Sequence, residues 1–158
     1  MARGKEIIVS ADPKGVFLEG IIDGTPKPGT CMQIKAGVAM VGGRFTYEVY
    51  APGADGEQRA VLVLLPDHLQ GRLHTDAYVS GTRGFLYCPA AGEELNMLVA
   101  NISGTADDHS IGEVLMIDSG TGLLVTTTGS PEMESFICLE VATDPVADAL
   151  LLCMYTGH

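Results

Sequence analysis

Asp107-Asp108-His109 is the densest group of potentially reactive side chains in the 158-residue sequence. Two carboxylates and an imidazole supply oxygen and nitrogen ligands, so a divalent cation is the first chemistry to weigh. The spacing argues against it. Consecutive residues of an extended chain point to opposite faces, and a calcium ion needs six to eight oxygens. Following Gly104-Thr105, the run reads as a solvated polar turn, and no metal or cofactor is expected. His68, His74, His109 and His158 show no HxH, HExxH or HxxxH spacing, and His68 and His74 flank Arg72 in a polar loop. No Gly-x-Ser-x-Gly elbow surrounds Ser80, and Gly81-Thr82-Arg83-Gly84 lacks the lysine and following helix of a phosphate loop. Cys31, Cys138 and Cys153 lie within apolar runs and Cys88 ends one before Pro89, which suits buried thiols acting as small hydrophobes. Tryptophan is absent and aromatics reach only 6%, too few for sugar-binding or base-stacking platforms. The five tyrosines are expected to face a core with their hydroxyls at its rim. No catalytic residue is assigned, and the sequence specifies no enzyme.

The elements that would have to position any site are short strands. Runs rich in β-branched and aromatic residues predict strands near Glu6–Ser10, Val16–Ile22, Thr30–Lys35, Arg44–Tyr50, Arg59–Leu65, Asp76–Ser80, Arg83–Cys88, Leu95–Asn101, Glu113–Asp118, Leu123–Thr128, Ser135–Val141 and Leu150–Tyr155. Asp23-Gly24-Thr25-Pro26, Gly42-Gly43, Ser119-Gly120-Thr121-Gly122 and similar breakers separate them. No apolar stripe of helical period lasts three turns. Single helical turns are predicted at Pro66–Gln70 and Asp144–Ala149, where proline is tolerated. Many short strands at this spacing read as an all-β barrel or sandwich.

Pro28-Gly29-Thr30-Cys31-Met32, Ala91-Gly92-Glu93-Glu94-Leu95 and Ile111-Gly112-Glu113-Val114-Leu115 share one pattern: a glycine turn, a polar residue, then an apolar residue opening a strand. Glycine accepts the positive φ of a chain reversal. The pattern reads as a local way of turning a barrel corner, too short to establish a repeat. Residues 1–15 hold three of the nine Lys and Arg residues and one short β run, which resembles an N-terminal arm ahead of a body at 16–158. A first strand of the barrel itself is the alternative.

Charge is sparse and uneven. Charged residues make up 18% of a chain whose net charge is −11, and from Gly84 to His158 there are eleven acids and no Lys or Arg. Phosphate backbones would be repelled there, so nucleic-acid binding is not expected. No signal peptide opens the chain and no apolar run approaches the ~20 residues of a membrane helix, so synthesis in a reducing cytoplasm and no membrane partner are expected.

Three stretches carry a resemblance: Glu19-Gly20-Ile21-Ile22-Asp23-Gly24-Thr25-Pro26-Lys27-Pro28-Gly29-Thr30; Leu69-Gln70-Gly71 with Asp76-Ala77-Tyr78-Val79-Ser80-Gly81; and Phe85-Leu86-Tyr87-Cys88-Pro89-Ala90-Ala91-Gly92-Glu93-Glu94-Leu95-Asn96. Together they resemble the capsid decoration (cement) proteins of tailed bacteriophages, over residues 16–158. The resemblance implies a single β-barrel or β-tulip body, a homotrimer at capsid threefold positions, and a non-catalytic role stabilising the virion exterior against the major capsid protein. Arg3, Lys5, Ile7, Ile8, Val9 and Lys14 of the arm are then the expected capsid-binding residues: the β run supplies backbone pairing and the basic side chains orient it. A phage tail or adhesin β-domain is the alternative; a cupin-like ligand-binding or enzymatic barrel is less favoured, since its clustered His/Glu signature is missing.

Overall fold

Short apolar runs between glycine turns close here into two five-stranded barrels. The computed structural model describes residues 6–51, 60–100, 109–118, 120–126, 134–142 and 149–157. Strands β1 (Val16–Ile22), β2 (Cys31–Ile34), β3 (Thr46–Val49), β4 (Leu62–Leu64) and β5 (Thr82–Cys88) form the first barrel in the order β1-β3-β2-β4-β5. Strands β6 (Glu94–Val99), β7 (Val114–Ile117), β8 (Leu124–Thr126), β9 (Glu134–Cys138) and β10 (Ala149–Tyr155) form the second, in the order β10-β6-β8-β7-β9. Counted from its own first strand, the second barrel repeats the first. Strand one lies parallel to strand three in both (β1 to β3, β6 to β8), and the remaining pairs are antiparallel. The expected all-β barrel architecture holds, with two barrels where one body was expected. Closure removes the unpaired edges that so many short strands would otherwise expose.

The first barrel is filled by Ile22, Met32, Tyr47, Leu62, Leu64, Tyr78 and Leu86. Two glycines make this possible. Gly20 and Gly84 face each other across β1 and β5. A Cβ on Gly20 would lie 2.0 Å from the Tyr47 ring, and one on Gly84 would lie 2.4 Å from Ile22 Cγ1. The missing side chains are the space that the Tyr47 and Tyr78 rings and Ile22 occupy. Asp76–Ser80 is not a strand: Tyr78 leaves the sheet to plug the barrel, its N–H bonding the Pro26 carbonyl (2.9 Å) and its hydroxyl the Leu65 carbonyl (2.9 Å). Burial there pushes the Tyr78 phenol up to about 12.

Inside the second barrel, inward residues alternate along each strand, as in Leu95, Met97 and Val99 of β6 and Leu151 and Cys153 of β10. Cys31, Val63 and Tyr87 of the first barrel belong to the same apolar cluster. Strands β2, β4 and β5 are thus buried on both faces, one turned into their own barrel and the other against the second. That is why Val61-Leu62-Val63-Leu64 reads as an unbroken apolar run. Backbone bonds from Leu98 N–H to the Gly29 carbonyl (3.0 Å) and from Cys31 N–H to the Gly122 carbonyl (2.8 Å) fix the two barrels together.

All three glycine turns take one form. An i to i+3 bond closes each (Thr30 to Lys27, Glu93 to Ala90, Glu113 to Ser110), with Gly29, Gly92 and Gly112 at φ of 88°, 86° and 88° in the third position. This is the glycine requirement of a type II turn. The first and third stand before the second strand of each barrel, so the shared pattern follows the repeated topology. The helical turn expected at Pro66–Gln70 is a 3₁₀ turn at His68–Gln70 capped by Asp67; Asp144–Ala149 lies almost wholly outside the described residues.

Candidate functional site

Of the expected arm residues, Arg3 and Lys5 lie outside the described residues, and the rest are seated on the body. Ile8 bridges to Leu95 of β6, Val9 N–H donates to the Glu94 carbonyl (3.1 Å), and Asn96 N–H donates to the Ile7 carbonyl (2.7 Å). Ile7 is buried in the second barrel's core and Ile8 packs against it, while Val9 and Lys14 remain exposed. Residues 6–10 are therefore neither a free arm nor a full strand: an isolated bridge, a few backbone bonds to β6 and the buried Ile7 hold them.

Glu93 locks the other end of this segment. Its carboxylate accepts the Tyr87 hydroxyl (2.7 Å), the Ala90 N–H (2.8 Å), the Gly15 N–H (3.2 Å) and the Lys14 N–H. Burial alone would push this carboxyl up, but the four donors outweigh it and hold it below the ordinary carboxylate range. A depressed folded-state value means that the stabilisation is complete above the unfolded value near 4.5 and is lost as pH falls through the lower folded one. Glu93→Ala is expected to cost about 2–3 kcal/mol, since buried donors lose a charged acceptor. Thermal melts from pH 6 to pH 3 check it: the wild type loses Tm on acidification, and Glu93→Gln loses less.

The other feature is an apolar face on the first barrel. Residues 35–45 join β2 to β3, whereas only 118–123 join the equivalent strands β7 and β8. The longer connection folds back as a hairpin. Val41 and Arg44 exchange backbone bonds of 2.9 and 3.1 Å around Gly42 and Gly43, both at positive φ, the requirement of a tight type I′ turn. Arg44 is pinned by Glu19, which also binds Arg83; the two guanidiniums, Arg83 foremost, hold the Glu19 carboxyl below its ordinary value. On this braced hairpin Val38, Met40, Val41 and Phe45 are between 43% and 58% exposed. Beside it the barrel mouth opens into a cavity of about 540 Å³ lined by Val16, Leu18, Ile34, Ala36, Ala60, Leu62 and Cys88. None of these side chains is charged. The hairpin and Glu93 escaped the sequence reading, although Ala36-Gly37-Val38-Ala39-Met40-Val41-Gly42-Gly43, uncharged and apolar between glycines, carried a signal.

Asp107 and Asp108 lie outside the described residues, but His109 does not sit in a solvated turn. It is 2% exposed, its backbone pairs with Ala142, and its Nδ1 lies 3.2 Å from Glu113 Oε2. The reason is the turn that opens β7: Glu113 also accepts the Ser110 N–H (3.2 Å) and so holds His109 beneath it. Cys138 neighbours this pair, its N–H bonding the Glu113 carbonyl at 2.8 Å. Thiol, imidazole and carboxylate lie together here, and Cys138 is fully buried. Among the described residues no group of three His, Cys, Asp or Glu side chains is placed to hold a metal ion. No protein-family model matches this sequence, and no curated protein matches it.

Proposed function

We propose that this chain is a capsid decoration protein of a tailed bacteriophage, a non-catalytic virion component that binds the outer surface of the major capsid protein shell as a homo-oligomer, in the trimer that the resemblance implies. The observation that carries the reading is the braced apolar hairpin and uncharged barrel mouth of the first barrel. The net charge of −11 lies wholly in residues 84–158, so copies repel each other through the second barrel. Copies approach each other most readily where charge is absent, and neither the lining of the barrel mouth nor the exposed Val38, Met40 and Val41 of the hairpin carries any. The second barrel, with acids and no Lys or Arg, suits the exterior of a shell, away from packaged DNA.

Capsid contact falls in this reading to the basic N-terminal segment, through Arg3, Lys5, Val9 and Lys14, with Ile7 and Ile8 anchoring it to the body. Such contacts are few per copy, and many symmetry-related copies sum them into stabilisation of the shell. Co-sedimentation with expanded empty heads of the phage that encodes the chain tests it. Saturable binding that weakens as salt rises is expected; absence of binding at low salt overturns it.

A further inference from the structure

Cys138 and Cys153 face each other across β9 and β10. Antiparallel strands offer two kinds of opposed pair, and the non-hydrogen-bonded kind brings Cα atoms to about 4.5 Å, within disulfide reach. Here Leu139 N–H donates to the Leu152 carbonyl (2.8 Å) one step along, while Cys138 N–H turns away to Glu113. The cysteines thus occupy the close kind of pair. Both are fully buried, with Cys138 Sγ donating to the Glu140 carbonyl (3.0 Å) and Cys153 Sγ to the Leu151 carbonyl (3.5 Å). Beside them the His109 Nε2 is buried without a hydrogen-bond partner. The adjacent Cys153 thiol, and after it the His109 imidazole, draws Cys138 below the ordinary thiol range, while the neighbouring Cys138 and burial push Cys153 above it. One sulfur is therefore the readier nucleophile and the other keeps its proton.

We propose that Cys138 and Cys153 form a dithiol that hydroperoxides oxidise to a cross-strand disulfide, stapling β9 to β10. The Cys138 thiolate attacks one oxygen of hydrogen peroxide; the O–O bond breaks, hydroxide leaves and is protonated to water, and Cys138 becomes a sulfenic acid. The Cys153 sulfur then attacks the Cys138 sulfur, the S–S bond forms, the S–O bond breaks, and a second water leaves with the Cys153 proton. Two thiols are oxidised and one peroxide is reduced to two waters. Hydrogen peroxide is little larger than water and enters a barrel by local opening that excludes bulkier oxidants.

The purified protein is treated with hydrogen peroxide, quenched, denatured, alkylated and mapped by mass spectrometry. The expected product is lighter by about 2 Da before alkylation, with one linked peptide joining Cys138 to Cys153 and with Cys31 and Cys88 alkylated. Closing the connection between β9 and β10 is expected to raise Tm by roughly 5–10 °C. Cys153→Ser is expected to leave Cys138 as a sulfenic acid that dimedone traps. Cys138 and Cys153 both still alkylated after peroxide treatment, or pairing through Cys31 or Cys88, would overturn the proposal, and that result needs no variant to fold.

Discussion

Gly84→Ala should destabilise the protein by about 3 kcal/mol, the upper part of the range for overpacked cores, and lower Tm by roughly 6–12 °C. The new methyl would meet Ile22 Cγ1 at 2.4 Å and the Tyr78 ring at 2.9 Å. Both neighbours are held, Ile22 by its pairing with Thr82 and Tyr78 by its bond to Leu65. Neither can retreat without opening the barrel. Gly37→Ala is the control: Gly37 has φ of 72° but nothing within 4 Å of an added Cβ. It therefore carries only the left-handed backbone penalty of about 1–2 kcal/mol. Urea unfolding of the two variants checks the difference, and equal losses would contradict the close-packing account of Gly84.

The second large effect concerns association. Val38→Asp with Met40→Asp places two carboxylates on the exposed hairpin of the first barrel. Both residues are already solvent-exposed, so the fold should lose no more than about 0.5 kcal/mol. An oligomer built through that face should dissociate, because each copy brings buried like charges to the contact. Light scattering should read the wild-type oligomer and a monomeric variant, while thermal melts of the variant retain the monomer's cooperative unfolding. An unchanged mass for the double variant would remove the hairpin from the interface.

Much of this architecture was legible because local chemistry and global fold agree. Val16–Ile22 is observed with its expected bounds, and the other strands lie within a few residues of theirs, since glycine turns punctuate them. The three glycine turns were visible as a pattern. Their meaning was not, because a repeat in strand order needs no repeat in side chains beyond the corners. The division into two barrels was hidden for the same physical reason that hides it from water. Cys31, Val63 and Tyr87 bridge the barrels in one apolar cluster, so no polar linker marks a boundary. Tyr78 misled by its β-type surroundings, whereas its role is to plug a barrel end. His109 misled because two aspartates precede it, while its partner, Glu113, follows four residues later. Ile7 could have been read as a core residue had the edge of β6 been known to need a partner.

If the chain studs a phage capsid, as proposed, expanded empty heads incubated with the purified protein and imaged by electron cryomicroscopy will carry extra density at a regular lattice of symmetry-related sites on the outer surface. In that density residues 6–15 lie towards the shell and the hairpin at 35–45 meets a neighbouring copy. Bare heads, or protein scattered without regard to the lattice, would contradict it.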